Sequence, residues 1–464
     1  MQSTARLITV GGYLMKKNTR IEQLITQIPY LDQVAQTKPV FLINQTKPEF
    51  VEAAKKTHFT KQDVNDAEAR LKRFAAYIRV AFPETEATEG IIESKLTPLT
   101  QMKTELETYF ETQIEGDILL KRDDLLPIAG TIKARGAIYE VLKHAETLAL
   151  THGLLESTED DYRKFTQAEF KKFFSKYKIV VGTTGNLGIS VGVMGAALGF
   201  EVAVHMSLEA KAWKKNLLRS RGVTVIEHNT NFTLAVEKGR QEAQENANCY
   251  FVDDEHSVEL FLGYTVAGNR LERQLEERGI QVDADHPLFV YLPCGIGGSP
   301  GGITFGLKQV YGDHVHCFFA EPTHMPSMLL GLMTREYDNV SIDDFDIDGS
   351  LTQMDGLAVP RTSGLVAKLM HDYFDGGYTV SEEDNFHLLR SLVDLEDIAL
   401  EPAAVAGLSG PARLFKSDLG RKYLSDKGLA DKMSQATHIV WATGGSMVPQ
   451  EDRDAFYNAI DAYL

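Results

Sequence analysis

Apolar positions recur at helical spacing through the first quarter of the chain, from about Arg20 to Leu120. In Asp63-Val-Asn-Asp-Ala-Glu-Ala-Arg-Leu-Lys-Arg-Phe the residues Ala67, Leu71, Phe74 and Ala75 share one face, which predicts an amphipathic helix. No chemical constellation stands in this stretch, so it is expected to be scaffold. The pattern changes after Leu119. A strand-like Leu119-Leu-Lys-Arg-Asp123 leads through Leu126-Pro-Ile-Ala-Gly-Thr-Ile-Lys133 into a helix reaching about Leu150. An acidic, polar connection follows, around Glu156 to Asp161.

Three strand-then-helix units come next. Ile179-Val-Val181 precedes a helix over Leu187 to Leu198, and Glu201 to His205 precedes one from about Ala210 to Arg219. Val223 to Ile226 precedes a helix from about Thr233 to Glu245, which ends near the strand Tyr250-Phe-Val252. A second series has strands at Leu288–Leu292, Val315–Ala320 and His438–Ala442. Such alternation predicts parallel strands joined by right-handed helical crossovers. Two series predict two α/β domains with a ligand cleft between them. The expected division is a larger domain of residues 1–132 and 257–464 and a smaller one of residues 133–256. No internal repeat or low-complexity tract interrupts the pattern.

Composition narrows the partners. The 464 residues exceed what one core holds, and 43% apolar with 24% charged residues is ordinary for a globular enzyme. A net charge of −17 repels phosphate backbones and anionic lipid, so neither nucleic acid nor membrane is expected as a partner. Cys249, Cys294 and Cys317 form no zinc-like pairs and no disulfide framework, which fits a reducing compartment. Lys16 and Lys17 follow the short apolar stretch Leu7 to Met15, whereas a signal peptide carries its positive charge before such a run. No window approaches the ~20 apolar residues of a membrane helix. A cytoplasmic protein is expected.

Four places carry candidate chemistry. Lys133 opens a helix just after Gly130-Thr131-Ile132. A Schiff base needs the neutral amine, and the positive potential of a helix N-terminus favours that form. A lysine taken at random is nevertheless a solvated helix residue roughly nine times in ten. Val181-Gly-Thr-Thr-Gly-Asn-Leu-Gly188 joins a buried strand to a helix. Its small residues let backbone amides approach an anion, and Asn186 adds an amide for a ring oxygen. A plain turn capped by Asn or Thr explains it equally well.

Cys294-Gly-Ile-Gly-Gly-Ser-Pro-Gly-Gly302 is the stronger feature, because five glycines in eight residues suit a phosphate cradle. A dinucleotide fingerprint, with Glu321 as the ribose-binding acid, fails on spacing, since the sixth position from Gly295 is Pro300. Thr443 ends the last strand, where a hydroxyl faces the crevice of an α/β sheet or merely caps a turn. Asp344-Phe-Asp-Ile-Asp-Gly349 imitates the start of a calcium loop. Its twelfth position is Asp355 rather than Glu, and no long amphipathic helix flanks it.

These pieces, in this order, resemble the pyridoxal-phosphate enzymes of the tryptophan-synthase-like fold, known as fold type II, and most of all the members that dehydrate D-serine. Gly130-Thr-Ile-Lys-Ala-Arg-Gly136 resembles the family's lysine segment, Val181 to Gly188 its asparagine loop, and Tyr291-Leu-Pro-Cys-Gly-Ile-Gly-Gly-Ser-Pro-Gly-Gly302 its phosphate loop. Asp355-Gly-Leu-Ala-Val359, Trp441-Ala-Thr-Gly-Gly445 and Phe82-Pro-Glu-Thr-Glu-Ala-Thr-Glu-Gly-Ile-Ile-Glu-Ser94 extend the likeness over nearly the whole chain. Thr131 and Thr183 stand where serine is expected, and Ser299 interrupts the glycine run.

The resemblance implies two mostly parallel sheets flanked by helices, with pyridoxal 5'-phosphate in the cleft between them. It implies that Lys133 holds the cofactor as a Schiff base and Asn186 bonds its ring hydroxyl. The amides of Gly295, Ile296, Gly297, Gly298 and Ser299 would hold the phosphate, and Thr443 would face the pyridine nitrogen. A neutral hydroxyl there makes the ring a weaker electron sink, which suits β-elimination. The expected substrate is D-serine, with D-threonine second and pyruvate and ammonia as products. Thr183, Thr184 and Gly185 would grip its carboxylate, Lys133 would take the Cα proton, and the cofactor phosphate would protonate the leaving hydroxide. Glu321 is expected to help bind a monovalent cation, K+ or Na+, and the chain is expected to be a monomer. The alternatives are an L-serine or L-threonine dehydratase of the same fold, a nicotinamide oxidoreductase, and a catalytically silent amino-acid-binding protein.

Overall fold

Eleven strands form two sheets in the computed structural model, which describes residues 19–463 apart from Thr184, Glu209, Thr230 and Asn231. The larger sheet contains β1 (Phe41–Ile43), β2 (Leu96–Pro98), β3 (Asp117–Arg122), β8 (Leu288–Pro293), β9 (Val315–Pro322), β10 (Gly376–Val380) and β11 (Thr437–Ala442). Their order is β1-β10-β9-β8-β11-β3-β2. The smaller sheet contains β4 (Lys178–Gly182), β5 (Glu201–Ser207), β6 (Thr224–His228) and β7 (Cys249–Val252), in the order β6-β5-β4-β7.

All pairings in the smaller sheet are parallel, as are those that join β10, β9, β8, β11 and β3. Parallel strands covered on both faces need continuous apolar runs. Leu288-Phe-Val-Tyr-Leu-Pro293 in β8 is such a run, and every residue of it is buried. The first quarter of the chain is less purely helical than its pattern predicts. β1 and β2 pair antiparallel to β10 and β3 and close the two edges of the larger sheet. Pro98, which cannot donate to a ladder, ends the edge strand β2, where that lack costs least.

The predicted amphipathic helix is α1 (Lys61–Ala81), opened by a Thr60–Asp63 capping box. It buries Ala67, Phe74 and Ala75, while Leu71 is half-buried. The helix after the lysine segment, α2 (Lys133–Thr151), packs on α3 (Asn186–Leu198) from the smaller sheet's side. It also packs on α5 (Val258–Thr265), which lies against α6 (Gly298–Tyr311). The smaller sheet also carries α4 (Ala212–Ser220) between β5 and β6.

Consequently β3, β4, β8 and β11 all deliver the residues after their C-terminal ends to one crevice, the usual location of a ligand in α/β sheets. The calcium-loop lookalike is flanked only by the short helical turns Ile342–Phe345 and Gly349–Leu351. Among the described residues no helix is long and apolar enough to cross a membrane.

Candidate active site

Lys133 sits in the first turn of α2, and the loop before it is stitched to the end of β11. Ile132 N–H donates to the Thr443 carbonyl at 2.8 Å, and the Thr131 hydroxyl donates to the same oxygen at 3.0 Å. Thr131 also bridges to Gly444. Thr443 is therefore tied through its carbonyl to the loop that leads into Lys133, and both residues line the cleft.

Arg135, in the same first turn, anchors the helix. Its guanidinium grips Asp123 at 2.6 and 2.7 Å and Glu93 at 2.5 and 3.0 Å, and it lies over the Trp441 ring. Trp441 Nε1 donates to Asp123 at 2.7 Å, so β3, α2 and β11 share one buried network. Burial opposes ionisation of Glu93, yet Arg135, Lys121 and Arg270 outweigh it and hold its carboxyl well below the usual range. Removing one member of such a buried charge network costs about 3–5 kcal/mol. The base of the lysine helix is rigid for that reason.

The Lys133 ammonium meets Asp254, with Nζ 2.9 Å from Oδ2 and 3.2 Å from Oδ1. Asp254 lies just beyond β7, so this ion pair crosses from α2 to the smaller sheet. Two helical turns along α2, the buried Glu140 accepts hydrogen bonds from Tyr250 Oη and Ser257 Oγ, both at 2.8 Å. Those residues flank the segment that carries Asp254. Burial pushes the Glu140 carboxyl up to about 8, against the two hydrogen bonds that favour its charged form.

The loop from Gly295 to Ser299 is buried throughout and leads from β8 into α6. Among the described residues, none of its five backbone N–H groups finds an acceptor; the ladder bonds resume with Gly301 N–H on Gly297 O. A row of buried, unpartnered donors at a helix N-terminus is a site for a phosphate group. Gly297 takes φ +108°, a region that favours glycine. A Cβ on Gly298 would meet only the Tyr264 ring, at 3.7 Å, and would fill cradle space instead. The cradle thus fits the phosphate of pyridoxal phosphate, and Lys133, Asn186 and Thr443 line the same cleft.

Asn186 opens α3 and donates from Nδ2 to Glu401 Oε1 at 2.8 Å, which leaves a second N–H on that amide for a ligand. Thr183 lines the cleft, and its hydroxyl accepts from Gly185 N–H at 3.0 Å. Thr184, expected in the same turn, falls outside the described residues. Glu321 is set apart from the cleft lining. Its two carboxylate oxygens accept the N–H groups of Met328 and Leu329, each at 2.8 Å, in the first turn of helix Ser327–Thr334. Burial pushes its carboxyl up to about 8, and the neighbouring Ser327 hydroxyl is buried without a partner. The Met328 side chain reaches Gly297, so this pocket of polarity adjoins the phosphate loop.

Asp254, Glu401 and Lys214 line the cleft and were not anticipated. Asp254 had a readable signal, since it follows a predicted strand of the smaller sheet just as Thr443 follows one of the larger. Glu401 and Lys214 carry no local pattern.

Comparison with known proteins agrees with this geometry. The family described as "Pyridoxal-phosphate dependent enzyme" matches residues 96–422. A relative from Geobacillus stearothermophilus, described as "Probable D-serine dehydratase", is 54% identical over 444 residues, covering 96% of each chain. One from Bacillus cereus (strain 03BB102), described in the same words, is 53% identical over 442 residues and covers 95% of this chain and 98% of its own. Among solved structures, diaminopropionate ammonia lyase from Escherichia coli in complex with D-serine superposes with a TM-score of 0.67 at 16% identity. That match covers 91% of this chain and 97% of the other. Threonine deaminase isoform 2 from Solanum lycopersicum gives 0.57 at 16% identity over 86% and 89%. The fold is therefore that of fold type II, and the chain belongs to the pyridoxal-phosphate dependent enzyme family.

Proposed function

We propose that this chain is a pyridoxal-phosphate-dependent lyase that converts D-serine to pyruvate and ammonia, with D-threonine as a second substrate. The observation that carries the chemistry is Lys133 at the mouth of a helix, lining one cleft with Thr443 and with the loop of five buried, unpartnered amides. Support for the substrate comes from relatives that share about half of their residues with it over 96% of the chain and bear that description.

Bound in this cleft, the cofactor would supply an electron sink for the bond broken at Cα. Lys133 Nζ would hold the cofactor aldehyde and, as the free amine, take the Cα proton. Asp254, 2.9 Å from that nitrogen, would hold the resulting ammonium. The proton taken from Cα would rest on the Lys133–Asp254 pair, and the β-hydroxyl would leave as water once protonated. Thr443 would present a neutral hydroxyl to the ring nitrogen, and Asn186, steadied by Glu401, would present an N–H to the ring hydroxyl. Of the residues expected to grip the carboxylate, Thr183 lines the cleft on the β4 side, while its N–H and that of Gly185 are already engaged by the His205 carbonyl and the Thr183 hydroxyl.

Glu321 completes the proposal as a ligand of K+ or Na+. It is a buried carboxyl with a raised pKa and no cationic side chain beside it among the described residues, next to the unpartnered hydroxyl of Ser327. The protein is further proposed to be a cytoplasmic monomer, in keeping with its three free cysteines, with residues 133–256 as its smaller domain around β4 to β7.

The test assays pyruvate and 2-oxobutyrate release from D-serine, L-serine, D-threonine and L-threonine side by side. D-serine should be the best substrate. Borohydride reduction followed by peptide mapping should mark Lys133, and Lys133→Ala should abolish both the mark and turnover. A marked lysine elsewhere would refute the site assignment, and a preference for L-serine would refute the substrate.

A further inference from the structure

We propose that Lys214 is the receptor for the substrate carboxylate and gives the cleft its selectivity for free amino acids over their amides. This rests on the reading of the cleft as an amino-acid site. Lys214 stands in the first turn of α4, is 6% exposed and lines the cleft. Lysines buried to this extent normally carry an acidic partner. The others here do: Lys121 pairs with Glu93 at 2.8 Å, Lys215 with Glu227 at 2.7 Å, and Lys308 with Asp375 at 2.9 Å. Lys214 Nζ has no carboxylate within 4.0 Å and no hydrogen-bond acceptor among the described residues; of the acids on the same cleft, Asp254 pairs with Lys133 and Glu401 accepts from Asn186. Nζ lies over the ring of the adjacent Trp213, 5.5 Å from its centroid. A buried ammonium left without an acid at the wall of a cleft is a site for an anion.

Its position identifies which anion. The Lys214 stem lies across Gly185, where an added Cβ would come within 2.3 Å of Cδ and 3.1 Å of Nζ. Gly185 also has φ +153°, so both the space and the backbone require glycine. The ammonium therefore hangs over the turn that joins β4 to α3. The unpartnered amides suited to phosphate lie at the other sheet, after β8. Two separate anion receptors face one cleft, and an amino acid joined to the cofactor brings two anions. With the phosphate in the glycine cradle, the carboxylate falls to Lys214. The described amides of the turn are already engaged, Thr183 N–H with the His205 carbonyl and Gly185 N–H with the Thr183 hydroxyl, each at 3.0 Å, so Lys214 supplies the charge that distinguishes the carboxylate from an amide.

The test compares wild-type holoenzyme with Lys214→Met and Lys214→Arg. D-alanine serves as the probe because it has no β-hydroxyl to lose, and D-alaninamide is its neutral counterpart. Lys214→Met should raise the KM for D-serine and the inhibition constant of D-alanine by at least about tenfold. The constant for D-alaninamide should stay within about twofold, with kcat and cofactor affinity within about threefold. Lys214→Arg, which keeps the charge, should recover most of the D-alanine affinity. Equal weakening of acid and amide, unchanged D-alanine binding, or loss of cofactor affinity in Lys214→Met would each overturn the assignment. Failure of the substrate reading is separable. A wild-type enzyme that turns over only L-serine refutes D-serine, and L-alanine with its amide then poses the same demand on Lys214. Binding of neither enantiomer refutes the amino-acid site and this proposal together.

Discussion

Alanine at position 298 separates the stability of the phosphate loop from its binding function. A Cβ there would meet only Tyr264 Cε2 at 3.7 Å, an ordinary van der Waals contact, so the protein itself has room for it. Gly298 begins α6 and has no positive φ, and a Gly→Ala change at a compatible position gains about 0.4–1 kcal/mol by restricting the unfolded chain. Apo Gly298→Ala should therefore melt at the wild-type temperature or slightly above it. The same methyl group occupies space that the phosphate needs and displaces it from the loop amides. Losing one or two hydrogen bonds to a charged group costs about 1.5–3 kcal/mol each, so the dissociation constant for pyridoxal phosphate should rise at least about tenfold. Gly297→Ala is the contrasting control. Its φ of +108° and a Cβ 2.2 Å from Met328 Cε impose strain of about 1–3 kcal/mol on the apo fold itself. Thermal melts of both apo proteins and absorbance titrations with the cofactor provide the two readouts. A Gly298→Ala protein with normal stability and normal cofactor affinity would refute the loop as the phosphate site.

Two further outcomes follow from buried carboxyls. Glu140 keeps its proton up to about pH 8 when folded but loses it near 4.5 when unfolded, so the folded state binds more protons across that window. Its contribution to stability is full below about 4.5 and is lost as pH rises through 8. Glu140→Gln, neutral throughout, should fall less in melting temperature between pH 6 and pH 8 than wild type, and parallel curves would refute this account. For Glu321, K+ should raise the melting temperature over tetramethylammonium at equal ionic strength, by about 2.7 kcal/mol of stability if K+ reaches a hundred times its dissociation constant. Glu321→Gln should abolish that difference, and a K+ effect that survives the substitution would place the cation elsewhere.

The parts of the site that could be read from the sequence are those carried by contiguous residues. Gly295 to Ser299 and Val181 to Gly188 each follow an apolar strand and open a helix, so strand, turn chemistry and helix start all agree within a dozen residues. The helix at Lys133 begins where its glycine and threonine signals put it. β1 and β2 were missed because three residues display no period, and both depend for their existence on a partner far away in the chain. Asp254, Glu401 and Lys214 were missed for a related reason. Lys133 and Asp254 are 121 residues apart, and Asn186 and Glu401 are 215 apart. No local spacing encodes such pairs.

This division has a physical cause. The cofactor's fixed groups are met by backbone amides and one lysine, and amides can be presented only by particular turns, which leave glycine and capping residues as a trace. The charged groups around the reacting carbon are met by side chains, and a side chain needs only a Cα within its reach. Asp254 comes to Lys133 from beyond β7, Glu401 to Asn186 from the residue before helix Pro402–Val405, and Lys214 to Gly185 from α4. Lys214 leaves its trace on the residue it touches, since Gly185 has no room for a side chain while Lys214 lies across it. The glycine in Thr183-Thr184-Gly185-Asn186 therefore has two causes at once, a turn with positive φ and the stem of a lysine from another helix. Only the first of these was visible before the chain was folded.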